Sequence, residues 1–159
     1  FGQIVGQARQ ATAEDHVLLT ASSVIATTNA NVPAPVNVNG VSYPLENQYV
    51  LTKTEAALVK TAVDAYNTQI STLATAYGLA FVNANAKMIE LNSMSGIQFD
   101  GVKYTAKFVT GGAFSLDGVH PLGRGYAIIA NEFLKAINTK YRSNLPMVSP
   151  NSYSGVKFP

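Results

Sequence analysis

Two histidines are the only imidazoles in the chain, and they sit in different company. His120 occurs in Phe114-Ser115-Leu116-Asp117-Gly118-Val119-His120-Pro121, a loop reached through Gly111-Gly112. Asp117 precedes it by three residues, close enough in a tight turn for its carboxylate to accept a hydrogen bond from the ring Nδ1–H. Such a bond fixes the tautomer and leaves Nε2 free as a base, the orienting half of a serine-hydrolase triad. The same residues also have a purely structural reading, because Asp-Gly is a common turn pair and a His before Pro can be ordinary loop chemistry. His16 follows Glu14 and Asp15 and reads as a solvated or capping side chain. The two histidines are remote in sequence and no carboxylate cluster has ligand spacing, so neither a metal site nor a cofactor is expected.

The elements that must position His120 follow from the pattern around it. Tyr126, Ile129, Ala130, Phe133 and Ile137 recur at helical steps, which predicts a helix from Pro121 or Arg124 to Tyr141 with Asn131, Lys135 and Asn138 turned outward. Pro at a helix start is comfortable because its missing amide would have lacked a partner. Upstream, Thr52-Lys53-Thr54-Glu55 matches a capping box, and Val59, Val63, Tyr66, Ile70, Leu73 and Tyr77 give one apolar face until Gly78. Leu79-Ala80-Phe81-Val82 then reads as a buried strand and Ala84 to Leu91 as a short helix, the βαβ rhythm of a parallel sheet covered on both faces. Val17 to Thr20 reads as another strand. Tyr66, Phe81 and Phe133 are assigned to the core. Asn39-Gly40 and Asp100-Gly101, each flanked by alternating residues, predict hairpins at 36–43 and 97–104, the first inside a long loop over 27–48. Residues 142–159, rich in Ser, Pro and Asn, read as a surface tail.

Composition narrows the function classes. The 159 residues are 47% hydrophobic and 13% charged, which suits one compact domain. Eleven Lys and Arg against nine Asp and Glu leave a formal charge of +2 with no basic run, so a surface that tracks nucleic-acid phosphates is not expected. The absence of cysteine removes disulfides and thiolate chemistry. The longest apolar stretch, Val17 to Ala26, is broken by Thr20, Ser22 and Ser23 and falls short of the roughly 20 residues of a membrane helix. The sequence opens on Phe1, and no signal peptide is visible.

Asp117-Gly118-Val119-His120-Pro121 followed by Arg124-Gly125-Tyr126-Ala127-Ile128-Ile129-Ala130-Asn131 resembles the last conserved block of the SGNH (GDSL) esterase and lipase family, in which an Asp-x-x-His-Pro turn precedes the C-terminal helix. Asp15-His16-Val17-Leu18-Leu19-Thr20, the capped helix from Thr52, and Gly78-Leu79-Ala80-Phe81-Val82-Asn83 look like the segments that lead to that block in bacterial secreted or surface-associated members. The resemblance implies a three-layer α/β/α hydrolase with a flavodoxin-like parallel sheet, in which His120 is the general base and Asp117 its partner. It also implies a secreted or cell-surface location and an ester or lipid substrate.

The family needs a serine in a Gly-Asp-Ser block near its N-terminus, and a Gly and an Asn from middle blocks for the oxyanion hole. No Gly-Asp-Ser or Gly-x-Ser-x-Gly occurs here, and Ser93-Met94-Ser95-Gly96 lacks the glycine of a nucleophile elbow. The expectation is therefore that residues 1–159 form the C-terminal portion of one hydrolase domain, inactive alone, whose partner is the N-terminal portion of the same protein. The rival expectation is a non-catalytic surface or carbohydrate-binding module on a hydrolase-like scaffold, which the low charge and abundant Asn and Thr would also suit.

Overall fold

A computed structural model describes residues 8–156. The chain divides into two compact units, Phe1–Asp64 and Ala65–Pro159. Among the described residues the regular structure is a mixture of helices and two small antiparallel sheets of two strands each. No helix is long and apolar enough to cross a membrane among the described residues.

In the first unit, strand β1 (His16–Val17) pairs antiparallel with β2 (Val50–Leu51), in register His16 to Leu51 and Val17 to Val50. The expected strand over Val17 to Thr20 is thus cut short. β2 offers only two residues of edge, and the chain turns at once into a 3-10 segment, Leu19–Ser23, that buries Ala21. The loop over 27–48 is folded, not a simple hairpin. Val38 pairs with Thr28, and Asn39 exchanges backbone bonds with Thr27 and Ala26 at 3.0 and 2.9 Å, so the residues before Asn39-Gly40 pair backward as well as across the turn, where the Tyr43 amide donates to the Val38 carbonyl at 2.9 Å. Gly40 has φ +72° and donates its amide to Tyr43 at 2.7 Å, a conformation that glycine adopts without steric cost.

Helix α1 (Lys53–Ala76) begins in this unit. Its start is the reciprocal capping box: Glu55 accepts from the Thr52 amide at 2.9 Å and hydroxyl at 2.7 Å, and the Glu55 amide reaches back to the Thr52 hydroxyl at 3.4 Å. Asp15 adds a second cap by accepting from the Lys53 amide at 2.9 Å, while Arg9 grips the same carboxylate at 2.6 and 2.5 Å. Two first-turn amides, free in any helix start, are satisfied this way.

In the second unit α1 ends where Gly78 takes φ +65° and the Leu79 amide bonds back to Ala74 at 2.8 Å, a Schellman stop. Helix α2 (Ala84–Leu91) is capped by Asn83, whose side chain accepts from the Ala86 amide at 2.9 Å. β3 (Ile97–Phe99) and β4 (Val102–Tyr104) form the expected hairpin, with Asp100 and Gly101 both at positive φ (46° and 78°), as a type I′ turn requires. Helix α3 spans Gly123–Tyr141. The core of this unit is Leu91, Tyr104, Ala113 and Ile128, with Ile97, Phe99, Ala106 and Phe114 packed against it.

Several sequence expectations are corrected here. Leu79–Val82 belongs to no strand, because nothing among the described residues pairs with this segment, and the two sheets that those residues form are antiparallel. The interior face of α3 is Gly125, Ala127, Ile128 and Asn131, not the Tyr126, Ala130 and Phe133 side, which lies exposed. Asn131 is only 3% exposed, because its amide offers a donor and an acceptor and both are taken by Val148, at 2.8 Å to the carbonyl and 2.9 Å from the amide. Asn138, one heptad on, does the same with Leu145 at 2.9 and 2.8 Å.

The tail is therefore tied down rather than draped. Pro150 is fully buried, Tyr104 donates to Asn151, and Arg124 Nε donates to the Tyr153 carbonyl at 2.7 Å. Residues 157–159 lie outside the described residues. Tyr66 (68%) and Phe133 (51%) are exposed rather than core, and Phe81 is half-buried. Of the apolar face of α1, only Val63 reaches half-burial. Periodicity marks the face that would be covered, but it cannot supply the layer that covers it.

Candidate functional site

The loop between β4 and α3 is built as a narrow hairpin with Asp117 to His120 at its tip. The Leu122 amide donates to Ala113 at 2.9 Å, Phe114 bridges Pro121 antiparallel, and the Ser115 amide donates to the His120 carbonyl at 2.8 Å. A turn closes it, with Gly118 at φ +71° and its amide on the Ser115 carbonyl at 3.0 Å. The base of the hairpin packs on the first turn of α3 so closely that a Cβ on Gly125 would lie 2.3 Å from the Ala113 carbonyl oxygen and 2.9 Å from Pro121 Cβ. Glycine at this position lets helix and hairpin meet.

At the tip, His120 Nδ1 lies 2.7 Å from Asp117 Oδ2. The other carboxylate oxygen, Oδ1, accepts from the Val119 and His120 amides, each at 2.9 Å, and from the Ser115 hydroxyl at 2.5 Å. The Ser115 hydroxyl foremost, then the Val119 amide and the His120 ring and amide, hold the Asp117 carboxyl well below the usual carboxylate range. An ionised carboxylate can only accept, so the short contact to the ring is a hydrogen bond when Nδ1 carries the proton. The His120 side chain is 73% exposed and Asp117 49%, so Nε2 is open to an incoming group.

The two residues that sequence reasoning singled out are therefore together, in the orientation that their spacing allowed. His16 lies in the other unit on β1, exposed and paired through its backbone with Leu51. Ser115 was not singled out. Its signal was available, since a Ser two positions before Asp-Gly stands where the strand entering a tight turn can reach the carboxylate at the tip. Among the described residues no serine hydroxyl bonds the His120 ring, and that of Ser115 donates to the carboxylate instead. Among the described residues no group of three or more His, Cys, Asp or Glu side chains could hold a metal ion.

A second feature of this unit is an open groove of about 640 Å³ floored by Leu79–Val82 and walled by α2 and α3. Its walls carry Lys87, which bonds Glu90 at 2.6 Å and lies 3.6 Å from Glu132, and Lys135, which bonds Glu132 at 2.8 Å. The bond to Glu90, with Glu132 adding to it, raises the Lys87 pKa above its ordinary value.

Fold and site together define a mixed α and β chain that presents a carboxylate-oriented imidazole on an exposed hairpin. No family model, curated protein or solved structure matches it.

Proposed function

We propose that this chain is the base-bearing portion of a carboxylic-ester hydrolase of the SGNH type, secreted or held at the cell surface, in which His120 is the general base and Asp117 its orienting partner. The observation that carries the reading is the 2.7 Å contact from His120 Nδ1 to Asp117 Oδ2, with Nε2 unencumbered. In the mechanism, a serine from a segment N-terminal to this chain gives its hydroxyl proton to Nε2 as its oxygen bonds to the ester carbonyl carbon. The carboxylate at Asp117 stabilises the imidazolium so formed. Nε2–H then protonates the departing alkoxide as the carbon–oxygen bond breaks; the neutral ring next takes a proton from the water that attacks the acyl carbon and returns it to the serine oxygen as the acyl–serine bond breaks and the acid leaves.

Two further observations support the three-layer α/β/α fold with a parallel sheet. Leu79-Ala80-Phe81-Val82 is a continuous apolar run, yet the amides of Phe81, Val82 and Asn83 and the carbonyls of Leu79, Ala80 and Phe81 have no hydrogen-bond partner among the described residues. Backbone groups in an apolar segment call for a ladder, and neighbouring strands from the N-terminal portion would supply it. The exposed faces of α1 (Tyr66, Ile70, Leu73) and α3 (Tyr126, Phe133) are of the kind that pack on such a sheet.

The test uses the protein expressed with its upstream segment. A fluorophosphonate probe should label a serine there, and His120→Ala should abolish labelling and lower ester turnover by about 10⁴ to 10⁶. Because the ring is mostly exposed, the melting temperature should hardly move. Turnover retained by His120→Ala would refute the reading. No labelling together with glycan binding would replace it with a non-catalytic carbohydrate-binding module.

A further inference from the structure

An exposed carboxylate at a loop tip has no reason to hold one rotamer, since water satisfies its oxygens in any orientation. Asp117 is half exposed, yet both of its oxygens are committed. Oδ2 faces His120 Nδ1, and Oδ1 takes three donors. Two of the three are amides of the same turn, which any Asp-x-x-His loop of this shape supplies. The third is the hydroxyl of Ser115, which comes from the opposite arm of the hairpin and makes the shortest contact on the carboxylate, 2.5 Å.

Ser115 is itself held on both sides. Its amide donates to the His120 carbonyl at 2.8 Å and its carbonyl accepts from Gly118 at 3.0 Å, and the residue is half-buried where Asp117 and His120 are exposed. We propose that Ser115 is a positioning residue, which locks the Asp117 carboxylate so that Oδ2 stays in line with His120 Nδ1 and the neutral ring keeps its proton on Nδ1. This rests on the ester-hydrolase reading only for its catalytic consequence. The positioning itself belongs to this chain alone.

The chemistry follows from where the charge sits. A hydroxyl and two amides on Oδ1 stabilise the anion, so the carboxylate accepts the Nδ1–H bond without taking the proton. Without the hydroxyl, water competes for Oδ1, the carboxylate swings about its terminal torsion, and the Nδ1–H bond loses its fixed acceptor. A histidine ring left to water favours the proton on Nε2, the nitrogen that must be bare to act as base.

The measurement is the protonation of the two ring nitrogens in the ¹⁵N-labelled chain, read from two-bond ¹H–¹⁵N correlations at a pH where the ring is neutral. The comparison is Ser115→Thr against Ser115→Val, which share one shape and one strand preference and differ in the hydroxyl, with Ser115→Ala as a third variant. Wild type and Ser115→Thr should carry the proton on Nδ1, and in Ser115→Val and Ser115→Ala the ratio of Nδ1–H to Nε2–H should fall about 3- to 10-fold, as losing one exposed bond to a charged group implies. An unchanged ratio in both hydroxyl-free variants, or a wild-type ring with its proton on Nε2, overturns the proposal.

In the protein with its upstream segment, Ser115→Val should lower kcat about 3- to 10-fold against Ser115→Thr with KM unchanged, in step with the share of competent base. A tautomer that depends on Ser115 in a protein with no esterase turnover would refute the hydrolase reading and leave the positioning role standing. Turnover with a tautomer indifferent to residue 115 would do the reverse.

Discussion

Replacing Asn131 by Ala tests the tie between α3 and the tail, and its cost can be worked from two bonds. The side chain is 3% exposed and bonds the Val148 carbonyl at 2.8 Å and its amide at 2.9 Å, as a neighbouring strand would. Each bond is worth about 1 kcal/mol net, and each Val148 group left without a partner adds up to about 1–3 kcal/mol where water cannot reach it. Val148 is half-buried, so water recovers part of that loss. The sum is ~2–4 kcal/mol. Urea unfolding monitored on a signal from the Ala65–Pro159 unit should register this loss, and hydrogen exchange at the Val148 amide should lose its protection. Asn138→Ala is the internal control. It removes bonds to Leu145, which is 41% exposed, and should cost only about 1 kcal/mol. A loss at Asn131 below ~0.5 kcal/mol, with Val148 still protected, would refute the reasoning that a buried amide holds the tail.

Acid titration tests the Asp117 anion. Its pKa is depressed in the folded chain, so it stabilises the fold above the ordinary carboxylate value of about 4, and this contribution is lost as pH falls through the folded value. Asp117→Asn should therefore be less stable than wild type at neutral pH, with the difference closing below about pH 4; a difference independent of pH would contradict the assignment. Gly125→Ala should cost about 1–3 kcal/mol in thermal unfolding, because its Cβ would lie 2.3 Å from the Ala113 carbonyl oxygen. It should also shift the amide resonances of residues 113–122, and an unperturbed hairpin would show that helix and loop are not in close contact.

What was legible in the sequence is what short-range chemistry decides. The capping box at Thr52 and Glu55, the positive-φ pair Asp100-Gly101 and the three-residue spacing from Asp117 to His120 each close within a few residues of chain. Their partners are therefore already in the window that is read. The same holds for the Gly78 stop of α1 and for both bounds of α2.

Tertiary structure decided the rest, because burial and pairing depend on what arrives from elsewhere in the chain. Leu79–Val82 has the composition of a strand but acquires no ladder without a neighbour. Tyr126 and Phe133 carry helical periodicity, yet the buried face of α3 is chosen by Ala113 and the tail, which favour Gly125 and Asn131. Residue types and local spacing determined which groups could bond within a turn. Contacts between segments distant in the chain determined which faces are dry, since the free energy of burial belongs to the pair of surfaces and not to either one alone.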